Sequence, residues 1–490
     1  MMRRIATLLI AVAIPALPAH AASFVSSLSI ANGTDLSGFA GIGNNRLGGF
    51  GSDLVYNATD GLFYGITDRG PGGGVLSYAP RMQAFSLDID STGAIGGFTL
   101  QRTTVFTDMT GQAFNGLNPR LLNGNSATLG RSFDSEGLAR LANGNFLVSD
   151  EYGPSLYEFD ANGRMIRSFT TPANLLPKEA NGTPNYVDGR PTITSGRQDN
   201  RGFEGLTVTP DGKTAYAILQ DPLVEEGRAN NGTADGRFSG NVRIVAFDVA
   251  TGQSTGQFIY QLEDRADINA RVTDTFGANN QGRSIGVSAI QSLGNGKFLV
   301  LERDNRGLSV DDTASTEVAS KRIYQIDLTG ATNVANISLA GTNTLPANVI
   351  AAKKDATPFI DIAAALKARG LQVPEKIEGF TFGPRTADGG ITLIVATDND
   401  FSVTQNGSGT QFDVCVNATN TVRSQVALGG ACPTGQSLIP NLVYSFKLSR
   451  AEYLSLTGAV PEPATWAMMI AGFGLVGGAM RRRRTAVLFA

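Results

Sequence analysis

One pattern recurs five times along the 490 residues, and it constrains the fold more than any other feature of the chain. Each copy opens with a short strand, often begun by Glu-Gly, and turns through a Gly-containing dipeptide. An apolar strand ending in acidic residues follows, then a third strand ending before a Gly turn, then a fourth leading out. The copies are SDLVYNATDGLFYGITDRG (52–70) with AFSLDIDSTG (84–93), and SEGLARLANGNFLVSDEYG (135–153) with LYEFDANG (156–163). FEGLTVTPDGKTAYAILQDP (203–222) with RIVAFDVATG (243–252) is the third, and IGVSAIQSLGNGKFLVLERDN (285–305) with RIYQIDLTG (322–330) the fourth. The fifth is IEGFTFGPRTADGGITLIVATDND (377–400) with LVYSFKLS (442–449). Aligned starts fall at Ser52, Glu136, Glu204, Gly286 and Glu378.

Period-2 strands joined by Asp-Gly and Asn-Gly turns form antiparallel hairpins. Four-stranded units repeating at this distance predict an all-β chain, a β-propeller with five recognisable four-stranded blades, five or six in total, carrying long inserted loops. A parallel β-helix is the alternative, although its repeats are shorter. The fifth copy lacks an outer strand, and SFVSSLSI (23–30) is placed to supply it and close the ring. Ala351 to Gly370 reads as a helix on a loop. The 59 glycines suit a fold with this many turns.

Both termini carry address signals. Residues 1–22 have a basic start at Arg3 and Arg4, an apolar run from Ile5 to Leu17, and Ala19-His20-Ala21 as a cleavage pattern, which reads as a secretory signal peptide. Residues 23–455 then form the propeller domain and 461–490 a tail. In that tail Pro461-Glu462-Pro463 precedes an apolar, transmembrane-like segment at 464–480, near the lower limit of ~17 residues for a span. Arg481 to Arg484 would keep the terminus cytoplasmic. The tail resembles the PEP-CTERM sorting signal in its PEPxxWA form, which implies export to the envelope or beyond, with signal peptidase and an exosortase as processing partners. An ordinary C-terminal anchor is the alternative.

Removing these ends changes two counts. His20 is the single histidine, so the exported body has none. Imidazole relays, His-ligated zinc and haem are thereby excluded. The balance becomes 34 basic against 42 acidic residues, about −8 in place of −3. No basic stripe appears, so nucleic acid is not an expected partner. Membrane contact is expected only through the tail, and the protein as a monomer. Cys415 and Cys432, the two cysteines of an exported chain, are expected to pair.

In a propeller, equivalent positions of successive inner strands converge on the axis. Glu136, Glu204 and Glu378 share one phase, with Ser52 and Gly286 standing at that position in the other two copies. The ends of the second strands add Asp68, Asp150, Glu151, Asp221, Glu302, Asp398 and Asp400. So many carboxylates at one place repel unless a cation joins them. Oxygen-only ligands indicate Ca²⁺, with Mg²⁺ as second choice. The expected metal ligands are Glu136, Asp150, Glu151, Glu204, Glu302, Glu378 and Asp398; the plainer reading is that such acids bond blade-turn amides. Basic residues flank the ring: Arg131, Arg201, Arg283 and Lys376 before inner strands, Arg69, Arg303 and Arg306 after second strands. Arg69, Arg201 and Arg303 are the expected catalytic anion-binding groups. Asp88, Asp160, Asp248 and Asp327 recur in turn patterns and read as structural.

The segments SDEYGPSLYEFDANGR (149–164), NRGFEGLTVTPDGKTAYAILQDPL (200–223), FLVLERDNR (298–306), KIEGFTFGP (376–384) and ITDRGP (66–71) resemble the phytase-like family described as "esterase-like activity of phytase" over about residues 50–450. The resemblance implies a propeller, metal dependence, and hydrolysis of phosphoesters or esters. A fainter similarity runs to gluconolactonase-like propellers. The expected function is an exported, metal-dependent phosphoester hydrolase, with Ca²⁺ as the expected ion, acting on a small anionic or phosphorylated substrate. A non-catalytic Ca²⁺-stabilised envelope propeller and a lactonase or carboxylesterase are the alternatives.

Overall fold

The computed structural model describes residues 22–41, 43–311, 317–406 and 409–458. Residues 1–21 of the expected signal peptide and the whole expected tail lie outside them. Among the described residues no helix is long and apolar enough to cross a membrane.

Among the described residues five antiparallel sheets follow one another, each built around one repeat. Blade 1 comprises Asp53–Asn57, Leu62–Ile66, Arg81–Ile89 and Ile95–Val105. Blade 2 comprises Ser135–Arg140, Phe146–Asp150, Ser155–Phe159 and Met165–Ser168. Blade 3 is Phe203–Val208, Thr214–Leu219, Asn241–Asp248 and Ser254–Gln261. Blade 4 is Ile285–Gly294, Lys297–Asp304 and Lys321–Asp327, with the outer place shared by Lys353–Lys354 and Ile360–Asp361. Blade 5 is Ile377–Arg385, Ile391–Thr397, Asn441–Leu448 and, as its outer strand, Ser23–Ile30.

That last pairing closes the ring as the sequence suggests. Ser23 lies opposite Lys447 and Ile30 opposite Asn441, 424 residues apart at the first pair. Each inner strand also packs against the next, and blade 5 meets blade 1. The propeller therefore has five blades. Blades are buried on both faces, so apolar residues fill the spaces between successive sheets. Leu54, Phe63 and Phe85 of blade 1 pack with Ile394, Ala396 and Val443 of blade 5. Ala139 and Leu147 of blade 2 share a core with Leu206 and Ala217 of blade 3 and Val300 of blade 4. The expected helix in 351–370 is shorter than its sequence suggests, running Ile362–Lys367.

An insertion between the second and third strands of blade 5 forms its own small sheet, Val403–Gln405, Gln411–Asn417, Arg423–Ala427 and Gln436–Leu438. Cys415 and Cys432 are joined there at 2.05 Å. The buried Arg46–Asp413 ion pair, at 2.6 Å, ties the insertion to the segment before blade 1.

Candidate functional site

The recurrent Glu-Gly has two separate physical causes. The glycine lets neighbouring inner strands approach. A Cβ on Gly205 would stand 2.8 Å from Ile290 N, one on Gly379 2.8 Å from Asp53 Cα, and one on Gly137 2.6 Å from Leu206 Cβ. The glutamate sits on a β-bulge. Phe203 pairs with Leu219 and Gly205 with Ile218, which leaves Glu204 unopposed; Glu378 stands likewise between Ile377 and Gly379. In blade 2 Glu136 and Gly137 together oppose Ser149. A bulge re-aims its side chain, and here the three glutamates meet at the axis.

The same register corrects blade 4. Val287 pairs with Glu302 and Ala289 with Leu301, so Ser288, not Gly286, stands where the other blades place glutamate. Blade 1 has Ser52 there, since Asp53 pairs with Ile66 and Leu54 with Gly65. The axial tier is therefore Ser52, Glu136, Glu204, Ser288 and Glu378. Counting along the second strands from the same pairs gives a further tier, one residue per blade: Asp68, Glu151, Gln220, Arg303 and Asp398.

Alternation along a strand sends the residue just before that tier to the other side, and this displaces two expected ligands. Asp150 Oδ1 accepts from the amides of Asp134 at 3.0 Å and Tyr152 at 3.2 Å, and Oδ2 from Gly153 at 3.1 Å. It fastens the turn after blade 2's second strand. Glu302 accepts from the Tyr260 hydroxyl and Lys354 Nζ, and from Glu263 N at 3.0 Å. It belongs to the packing between blades 3 and 4. Glu136, Glu151, Glu204, Glu378 and Asp398 do converge, joined by Asp68, Asp134 and Asp400.

Three triads of carboxylates overlap there, each with ligand atoms within 4.8 Å of one another: Asp68–Asp398–Asp400, Asp68–Asp134–Glu136, and Glu136–Glu151–Glu204. They differ in what already neutralises them. Lys376 Nζ stands in the first, 2.8 Å from Asp398 and 2.6 Å from Asp400. Arg69 Nη1 is 3.0 Å from Asp134 in the second. The third contains no cation of its own. Arg303 reaches only its edge, 3.8 Å from Glu204, while bonding Glu378 at 2.7 Å and, through Nε, Ser288 at 2.7 Å. Among the described residues nothing donates to Glu151 Oε1, Glu204 Oε2 or Glu378 Oε2, although all three atoms are buried.

Burial and crowding of carboxylates show in the protonation. Glu136 and Glu204 are held well above the usual carboxylate range, first by burial and then by neighbouring carboxylates, Glu204 beside Glu136 and Glu151 beside Glu204. Burial pushes Glu151 up to about 7, with Asp134 adding to the effect and Arg69 opposing it. Asp398 is also pushed up to about 7 by burial, against the pull of Lys376. Asp68 is raised by burial and by Asp398. Glu151 and Glu204 are 2% and 3% exposed. Two or more such groups cannot ionise together without a compensating cation.

A basic cavity adjoins the third triad. Arg201, Arg283 and Arg303 line it with Gln220, Asp221 and Gly286. Arg201 Nε is 2.7 Å from Asp221, and Arg283 Nη2 2.9 Å from Asp199. Gln220 links the two regions, because its amide donates to Glu204 Oε1. Arg69 lies instead at the second triad, its guanidinium 5.9 Å from the Tyr152 ring.

Sequence reasoning passed over Asp134, Gln220 and Ser288. Asp134 precedes Glu136 by two residues, the offset at which Lys376 precedes Glu378, so the repeat did hold a signal for it. Ser288 and Gln220 carry no charge and are found only through the register. Asp400 is held by a turn in which Asp400, Phe401 and Ser402 have φ of 48°, 54° and 58°. Three consecutive non-glycine residues in the left-handed region are strained. Asn399 Oδ1 fixes them, accepting from Gly49 N at 2.7 Å and Phe401 N at 3.1 Å.

The chain is similar to several known proteins. The family described as "Esterase-like activity of phytase" matches residues 45–401, and the PEP-CTERM protein-sorting motif matches 459–484. An uncharacterized secreted protein of Arthroderma benhamiae is 27% identical over 350 residues, 59% of this chain and 66% of that protein. The chain thus spans just under two thirds of that relative's length. Among solved structures, virginiamycin B lyase from Staphylococcus aureus is 9% identical with 86% of this chain and 98% of that one covered, at a TM-score of 0.31. The Cps50 β-propeller domain of Myceliophteria thermophila is 10% identical, with 77% and 80% covered and a TM-score of 0.25.

Proposed function

Because the chain belongs to the family described as esterase-like activity of phytase, we propose that it is an exported, metal-dependent phosphoester hydrolase whose centre is the Glu136–Glu151–Glu204 triad. One observation carries the reading: three buried glutamates from blades 2 and 3 stand within 4.8 Å of one another with a single cation, Arg303, at their edge, and Glu151 and Glu204 each keep a buried oxygen without a donor. The donors are all carboxylate oxygens, which fits Ca²⁺ first and Mg²⁺ second. Held by Glu136, Glu151 and Glu204, such an ion would supply Lewis-acid charge and would make a water more acidic.

The chain's own residues do the remaining work. Gln220 orients Glu204 through its amide, and Arg303 ties Glu378 and Ser288 into a rigid rim. Arg201 and Arg303, with Arg283 beside them, hold the anionic part of the substrate and balance charge that develops on the phosphoryl oxygens. Arg69, engaged with Asp134, borders the acidic pit that the three carboxylate triads form at the axis. The sorting motif and the secreted relative support export to the envelope, with signal peptidase and an exosortase as the processing enzymes.

The test is turnover of p-nitrophenyl phosphate, bis-p-nitrophenyl phosphate, phytate and a lactone panel, with Ca²⁺ and with EDTA. Metal-dependent release of phosphate supports the reading. Turnover of lactones alone would assign the centre to a lactonase. No turnover, with EDTA lowering the melting temperature, would make the protein a Ca²⁺-stabilised binding propeller.

A further inference from the structure

The pit and the end of the described chain lie at opposite ends of one strand. Blade 5's inner strand begins at Ile377, beside Glu378 in the pit, and finishes at Arg385. The C-terminal helix Arg450–Thr457 rests on the finishing end: the Tyr453 ring is 5.4 Å from that of Phe382, and the Arg385 guanidinium 5.3 Å from the same ring. Ser292 and Leu293, near the finishing end of blade 4's inner strand, line the groove beside this helix, as does Pro210, just past blade 3's. The helix is held there by buried Leu456 and by a Ser449–Glu452 capping box. The chain therefore leaves the propeller on the face opposite the pit.

Lengths decide what this permits. Glu378 and Arg385 are seven residues apart, about 23 Å at the rise of a strand. Between Gly458, which caps the helix, and the apolar run from Ala464 stand five residues, six steps that reach about 22 Å when fully extended. To turn the pit toward a bilayer, that tether would have to pass round a four-stranded blade, about 14 Å from inner to outer strand, as well as cover the thickness of the propeller, and it is too short for both.

We propose that, while the tail holds the protein at a membrane, the acidic pit opens away from the bilayer and serves a water-borne anionic substrate, not the headgroups of the membrane that holds it. The proposal rests on the pit being the functional centre and on the tail being membrane-held.

The orientation is read without turnover. The full chain with its tail intact is placed in vesicles containing a nickel-chelating quencher lipid. A fluorophore is attached at Asn279→Cys, in the exposed loop entering blade 4 on the pit face, or at Ala387→Cys, in the exposed turn of blade 5 on the opposite face. The native cysteines are disulfide-bonded and do not compete for the label. The expected result is several-fold stronger quenching at position 387 than at 279, with a soluble quencher reaching both. Equal quenching, stronger quenching at 279, or none at either position overturns the proposal. Because no substrate enters the measurement, its failure is distinguishable from a failure of the hydrolase reading.

Discussion

The Lys376 ammonium lies 2.8 Å from Asp398 Oδ2 and so occupies, as an internal cation, one of the three carboxylate triads of the pit. The same nitrogen is 2.6 Å from Asp400. Its charge is held strongly: although burial opposes it, Asp398 and then Asp400 keep the ammonium well above its ordinary range. Lysine thus fills the triad on the blade 5 side, whereas the triad on blades 2 and 3 has only Arg303 at its edge.

Replacing that lysine should therefore convert one kind of site into the other. Lys376→Gln leaves Asp68, Asp398 and Asp400 without a partner. The metal-free protein should lose about 2–3 kcal/mol, the low end for breaking a buried pair, because the lysine side chain is 23% exposed. Added Ca²⁺ should raise the melting temperature of this variant more than that of the parent chain. Differential scanning calorimetry with and without Ca²⁺ checks both.

Glu204 and Glu302 look alike in the repeats but not in the fold, and their variants should separate. Glu204→Gln should weaken divalent-ion binding by at least ~10-fold with little loss of stability. Glu302→Gln should leave metal affinity unchanged while destabilising the contact with Tyr260 and Lys354. Titration calorimetry and thermal melts on the two variants read the contrast.

Acidity should act in opposite senses on stability and on metal binding. Glu151 and Asp398 have folded-state values of about 7, above those of an unfolded chain. The metal-free folded state therefore binds more protons than the unfolded one between about pH 4.5 and 7, and its stability should fall as pH rises through that window. Metal binding at the three glutamates displaces the proton held by Glu151, so affinity should tighten over the same interval. Melts in EDTA and Ca²⁺ titrations at pH 5, 6, 7 and 8 test the two signs.

The arginine cavity gives an independent prediction. Arg201→Gln removes the guanidinium that lies 2.7 Å from Asp221 and should weaken binding of inorganic phosphate about tenfold. Metal affinity at Glu136–Glu151–Glu204 should not fall, because Arg201 bonds none of these carboxylates and its positive charge, felt by Glu151 and Glu204, opposes a second cation there. Competition by phosphate, measured on Ca²⁺-loaded protein, separates the two effects.

The architecture was legible because it is written five times. Each Glu-Gly start and each Asp-Gly or Asn-Gly turn marks a strand boundary. The missing outer strand of the fifth copy also announced the role of residues 23–30, later seen paired with 441–448. The pit was legible only in part. A bulge shifts the side-chain phase by one residue, and in blade 4 it falls at Ser288, so an alignment built on the neighbouring glycine put Gly286 in the tier. Period 2 settles the difference between Glu151 and Asp150, but only once the register of the second strand is known. Asp134 escaped notice because it lies just outside its strand, and Asp400 owes its place to the strained turn at 400–402.

The most direct measurement is the position of the ion itself. Crystals of the protein grown with Ca²⁺, or soaked with Tb³⁺ as an anomalous substitute, should show one strong peak at about 2.3–2.6 Å from carboxylate oxygens of Glu136, Glu151 and Glu204. A vacant triad in saturating metal, or a peak displacing Lys376 among Asp68, Asp398 and Asp400 while the glutamates remain protonated, would contradict the account.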